Sequence, residues 1–140
     1  MKENEQELAW KDSFLSLKDA LERFTEVVDL SQSKKDDIIV DATIKRFEFT
    51  LELFWKTLKK ILAYEKVEST SPRDVVSKAF QINLIDDESI WLRMLDDRNL
   101  SSHVYNQKMA REIFERTISH LPILQKTYEN LKTKYTSSLK

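Results

Sequence analysis

The chain has no glycine in 140 residues, and that absence excludes more folds than any residue present could specify. Walker loops and dinucleotide fingerprints need glycine where the backbone passes close to a phosphate, so neither can be built here. Tight β-hairpins also lean on glycine for their positive-φ positions. With only two prolines besides, the chain has few of the residues that punctuate loops. The expectation is an all-α protein whose reversals use Asn, Asp and Ser. There is no cysteine, which removes disulfides, zinc fingers and thiol nucleophiles.

The apolar residues recur with helical periods. Trp10, Phe14, Leu17, Leu21, Phe24 and Val28 step by four and three, with Leu15, Val27 and Leu30 expected to widen the stripe. SQSKKDD breaks the pattern, and Ser33 followed by Asp36 predicts the next helix start. Val40, Ile44, Phe47, Leu51, Phe54, Leu58 and Ile61 continue the alternation, and Phe49, Leu53, Trp55 and Leu62 broaden it. A helix this apolar is expected to be central, with part of it facing a second subunit. Ser71, Pro72 and Asp74 suit the N-cap, first and third positions of a short helix that Asn83 ends. Asp86 and Asp87 open another short helix carrying Ile90, Trp91, Met94 and Leu95. Asn106 caps a last helix through Ala110, Ile113, Thr117, Leu121, Leu124, Tyr128, Leu131 and Tyr135. Pro122 should kink that helix, and the tail TSSLK should fray. Three long and two short helices predict an antiparallel up-and-down bundle, one domain over residues 1–140.

With 41% hydrophobic and 34% charged residues, the chain is neither disordered nor membrane-spanning. No apolar run approaches the ~18 residues of a transmembrane helix. The opening MKENEQELAW is acidic and polar, unlike a signal peptide, so a cytoplasmic protein is expected. Residues 1–33 hold four basic and eight acidic side chains, whereas residues 106–140 hold seven basic and three acidic. Such ends can pair as antiparallel neighbours or leave a basic surface for a polyanion.

The stretch RNLSSHVYN, residues 98–106, holds one of the two histidines. On an unbroken helix Arg98 and His103 would lie ~140° apart, on nearly opposite faces. Asn99 is suited to a left-handed helix end, and Ser101 and Ser102 favour a turn. Arg98 is therefore placed on a last helical turn and His103 in the turn beyond, where both can point into one cleft. Histidine exchanges protons near neutrality, and an arginine fork clamps a phosphate. Together they suffice for metal-independent RNA cleavage. On spacing alone a second reading stands beside it, in which Arg98 pairs with Asp97 or the helix end and His103 caps the turn.

RNLSSHVYN between two helices of an all-α chain resembles the HEPN superfamily. More closely, it is similar to the nucleotidyltransferase substrate-binding family, whose toxin members carry R-x4-H-x-Y. Arg98, His103 and Tyr105 match the three fixed positions, and Asn99 matches the polar residue after the arginine. The surrounding WLRMLDDRNLSSHVYN and the preceding Phe- and Trp-rich helix also look like this family. The resemblance implies a four-helix-bundle-like fold that forms a homodimer, with two motifs meeting in a composite ribonuclease site. Arg98 and His103 would be catalytic, with Asn99 supporting them and neither metal nor cofactor required. It implies a cognate minimal nucleotidyltransferase that transfers AMP to Tyr105 and silences the nuclease. The alternative is a non-catalytic subunit that presents an RNA or nucleotide substrate to that enzyme. Such enzymes use a Gly-Ser turn before paired aspartates, so a chain without glycine cannot itself supply the transfer.

The remaining polar clusters have structural readings. Asp86, Asp87 and Glu88, and likewise Asp96 and Asp97, suit helix caps and solvated turns better than metal ligation. His120, one turn after Arg116, is expected to be structural.

Overall fold

A computed structural model describes residues 2–136, so the expected fraying at 137–140 lies outside the described residues. Within them the chain forms α1 (Lys2–Ser31), α2 (Asp37–Tyr64), α3 (Pro72–Gln81), α4 (Glu88–Ser101) and α5 (Gln107–Thr136), with no strand. No described helix is long and apolar enough to cross a membrane.

Short polar side chains start most of these helices. Asp36 Oδ1 accepts from the Ile39 amide at 2.9 Å and opens α2, three residues after the start expected at Ser33. The Ser33 hydroxyl instead donates back to the Leu30 carbonyl at the end of α1. A carboxylate is the stronger acceptor for exposed helix-start amides, and it adds a negative charge where the helix dipole favours one. Ser71 caps α3 through the Asp74 amide at 3.2 Å, with Pro72 at the first helical position. Asp87 caps α4, and Asn106 caps α5 through the Met109 amide at 3.0 Å. The Ser89 hydroxyl and the Ile90 amide hold the Asp87 carboxyl below its ordinary range.

Without glycine, the two left-handed helix ends fall to Asn83 and Lys66, each at φ 65°. Asn83 fits the expectation, whereas Lys66 is a residue type that carries no such signal. In both cases the next amide bonds back to close the helix, Val67 to Leu62 and Leu84 to Ala79, each at 2.8 Å.

α1 runs antiparallel to α2, joined by the Ser13 and Thr57 hydroxyls at 2.7 Å. It also runs antiparallel to α5, where Phe14 stacks on Tyr128 with ring centroids 4.6 Å apart. α4 descends against both α2 and α5, its Trp91 set edge-on to Phe54 at 4.9 Å. α2 and α5 run parallel. Arg111 pairs with Asp37 at 2.8 Å where they start, and Tyr64 meets Tyr135 where they finish. α3 is a short strut between α2 and α4. As expected, α2 is central and touches every other helix.

The core is aromatic, with Trp10, Phe24, Phe47, Phe54, Trp91 and Phe114 essentially sealed from solvent. Each contributes roughly 1.5–3 kcal/mol by burial. Trp10, Tyr64 and Tyr135 gather at one end of the bundle. Three residues expected to widen the buried faces do not. Leu15 and Leu30 are exposed on α1, and Phe49 is 59% exposed on α2. Phe49 lies two residues from both Phe47 and Leu51, so helical geometry sends it away from their stripe. α5 continues as helix through Pro122, which is itself exposed.

Candidate functional site

α4 does not end at Asn99. The helix continues to Ser101, with Ser102 as its cap at φ −77° and ψ −6°. Serine chemistry accounts for the two further residues. Ser102 Oγ donates to the Asn99 carbonyl at 2.7 Å, and Ser101 Oγ lies 2.8 Å from the Arg98 carbonyl. The Ser102 hydroxyl serves a carbonyl that a left-handed residue would otherwise have to serve. The His103 amide closes the turn on Leu100 at 2.9 Å.

Beyond the helix, one apolar residue orients two polar ones. Val104 packs against a small satellite core of Val40, Ile44, Ala110, Ile113 and Phe114. Its neighbours His103 and Tyr105 are exposed on the same short turn, Tyr105 at 80%. Asn106 then caps α5. The turn is thus fixed at both ends and in the middle while presenting an imidazole and a phenol to solvent.

Arg98 faces another way. It lies part-buried in a cleft of about 400 Å³ walled by α2 (Leu51, Glu52, Trp55), the start of α3 (Ser71, Pro72, Arg73) and α4 (Leu95, Arg98, Asn99). Its Nε is buried with no hydrogen-bond partner among the described residues. Arg73 stands at the rim, held by Asp96 at 2.9 Å. Glu52 accepts from Trp55 Nε1 at 3.2 Å, and Lys56 lies 3.5 Å from its other oxygen. The cleft takes in Arg98 and Asn99 but not His103, so the common cleft expected from the sequence is not found in this wall.

Arg98 does not pair with Asp97 either. Asp97 turns toward α5 instead and is only 7% exposed. Its Oδ2 lies 2.7 Å from His120 Nε2 on α5, and Arg116 Nε approaches Oδ1 at 3.5 Å. The His120 ring stacks on Phe47 at 5.7 Å. His120 therefore has the structural setting expected of it. Asp97, read as a solvated turn residue, is instead half of a buried bridge. The sequence held a usable signal, because His120 lies on the apolar stripe of α5 and a polar residue there requires a partner. A second unforeseen contact backs the motif: Ser101 Oγ donates to the Glu48 carboxylate on α2. Asp86 and Asp87 occupy structural positions, facing Lys126 and capping α4 respectively.

Comparison with known proteins places this geometry in context. Residues 12–133 match the family model described as "Nucleotidyltransferase substrate binding protein like". The chain is 30% identical over 91 residues to "Probable ribonuclease HepT" of Haemophilus influenzae. That match takes in 61% of this chain and 62% of the relative's length, less than two thirds of it. A crystal structure of a Thermus thermophilus protein superposes with a TM-score of 0.75 at 34% identity, covering 83% of this chain and 98% of the other.

Proposed function

Because the chain belongs to the nucleotidyltransferase substrate-binding protein family, we propose that it is the HEPN-type helical partner of a minimal nucleotidyltransferase and that, as a homodimer, it cleaves RNA with Arg98 and His103. The observation that carries this reading is the turn itself, whose rigid anchors are apolar or capping while His103 and Tyr105 stand in solvent.

In the proposed reaction His103 takes the proton of a ribose 2′-OH. The 2′-oxygen bonds to the adjacent phosphorus as the bond from phosphorus to the 5′-oxygen breaks. The leaving oxygen takes a proton from His103 of a second copy, giving a 2′,3′-cyclic phosphate and a 5′-hydroxyl. Arg98 offsets the charge that gathers on the phosphate, and Asn99 supports it from the cleft rim. A composite site accounts for a protomer in which Arg98 and His103 do not share a cleft. Two-fold pairing would set the Arg98 of one copy beside the His103 of the other.

Tyr105 is the proposed switch. Its hydroxyl would attack the α-phosphorus of ATP on the partner enzyme, lose its proton and release pyrophosphate. The attached AMP would put a negative phosphate beside His103, blocking RNA by bulk and by charge. The 80% exposure of Tyr105 supports this, since a second enzyme needs an accessible phenol.

A second reading, the non-catalytic substrate-binding subunit, is favoured by one feature, the nucleoside-sized cleft at Arg98 that excludes His103. A cleavage assay separates the two. The purified protein should cut RNA in the presence of a chelator, fail on substrate lacking the 2′-OH, and lose activity in His103→Ala. Equal cleavage by wild type and His103→Ala refutes the assignment. No cleavage by either, with RNA still bound, supports the substrate-binding subunit.

A further inference from the structure

We propose that the cleft beside Arg98 is a guanine-selective base pocket, which holds the nucleobase of the nucleotide whose phosphate Arg98 engages. This rests on the reading of the chain as an RNA-binding protein, but it adds a subsite and a sequence preference that the reading lacks.

Three features carry it. The first is Arg98 itself, part-buried in the cleft wall, whose guanidinium is a fork of donors and has no acceptor inside it. The second is Trp55. Its indole N–H is already committed to Glu52, so what it offers the cleft is ring surface. Aromatic surface in a cationic cleft is what an unpaired base stacks on. The third is the mixture of polar groups around that ring. Glu52 brings a carboxylate, while Arg98 and Asn99 bring donors. Both carboxylate oxygens of Glu52 lie against cations or donors of its own helix, which orients the group while it stays part-exposed.

Guanine answers this pattern on two edges. Its N1–H and amino group are adjacent donors that match one carboxylate. Its O6 and N7 are adjacent acceptors for the Arg98 guanidinium and the Asn99 amide. Uracil has no such pair of adjacent donors. The volume of about 400 Å³ suits a nucleoside with its phosphate at the rim near Arg73.

Tryptophan fluorescence tests the pocket without any need for cleavage. Trp10 and Trp91 are sealed in the core, so Trp55 is the indole that a ligand can reach. Guanosine 3′-monophosphate should quench the emission saturably, after correction for nucleotide absorption. Uridine 3′-monophosphate should bind roughly tenfold more weakly. Glu52→Gln, nearly isosteric, should remove most of that preference, and Trp55→Leu should remove the quenching. A protein that shows this pattern but cuts no RNA keeps the pocket and loses the nuclease. A protein that cuts RNA with the same sequence preference in Glu52→Gln, or whose emission ignores both nucleotides, overturns the pocket and leaves the nuclease standing. If sedimentation shows that Trp55→Leu instead splits a dimer, the cleft is a subunit interface and the proposal fails.

Discussion

The bridge between Asp97 and His120 makes a prediction whose size follows from its geometry. Replacing Asp97 by Ala removes the acceptor 2.7 Å from His120 Nε2, in a site where both residues are under 10% exposed. The imidazole is then a buried polar group without a partner, held in place by Phe47. Stranding such a group costs ~1–3 kcal/mol, and a charged acceptor puts the loss in the upper half of that range. Arg116 loses its carboxylate too, but it is exposed and its share is small. A loss of about 2–4 kcal/mol is expected, against a total stability on the order of 5–15 kcal/mol. Asp97→Asn keeps an acceptor oxygen in place and should cost about 1 kcal/mol. Urea titration by circular dichroism measures both, and a cycle with His120→Ala isolates the pair. The coupling between the two positions should exceed roughly 1 kcal/mol. Additivity within about 0.5 kcal/mol would show that the bridge contributes nothing specific and would refute the reasoning.

Burial, helped by Glu65 and Tyr64, pushes the Tyr135 phenol up to about 12. The native state therefore favours the protonated form, so stability should hold up to about pH 10 and fall as pH rises through 12. Tyr135→Phe should flatten that alkaline limb. Because the Tyr135 hydroxyl has no partner among the described residues, the change should not weaken the protein at neutral pH; alkaline thermal melts check both. Asn83→Ala should cost about 1 kcal/mol, because a Cβ without a polar compensator is forced into the left-handed region at φ 65°; an unchanged urea midpoint would contradict this. Sedimentation at micromolar concentration should show a dimer, and a clean monomer would remove the composite site. After co-expression with the partner nucleotidyltransferase, mass spectrometry should find AMP on Tyr105, and Tyr105→Phe should escape silencing.

What could be read from the sequence was local. Ser71 with Pro72 and Asp74, Asn106 before the last helix, and Asn83 after α3 all act on amides or carbonyls within four residues, so their roles were visible in a short window. The Ser33 start and the Asn99 end were misplaced because competing groups lay equally close. Asp36 displaced Ser33 as the cap, and the Ser102 hydroxyl, bonded back to the Asn99 carbonyl, carried α4 past Asn99. Phe49 and Leu15 looked like core because hydrophobicity alone does not say which way a helix face points. The rest was non-local. Asp97 meets His120 across 23 residues and Ser101 meets Glu48 across 53. The wall around Arg98 takes residues from three helices. No spacing rule within one segment could have drawn those together.

The parallel course of α2 and α5 gives the bundle two unlike poles. The motif turn lies where α5 begins, and the Trp10, Tyr64 and Tyr135 rings close the pole where it finishes. Thirty residues of α5 separate them, about 45 Å of helix. A domain tethered at the end of α5 would therefore start about 45 Å from the motif turn. A tether to bring its active site back would need at least about 13 extended residues before it could touch the phenol. A free-standing enzyme meets no such constraint and can approach the motif pole head-on.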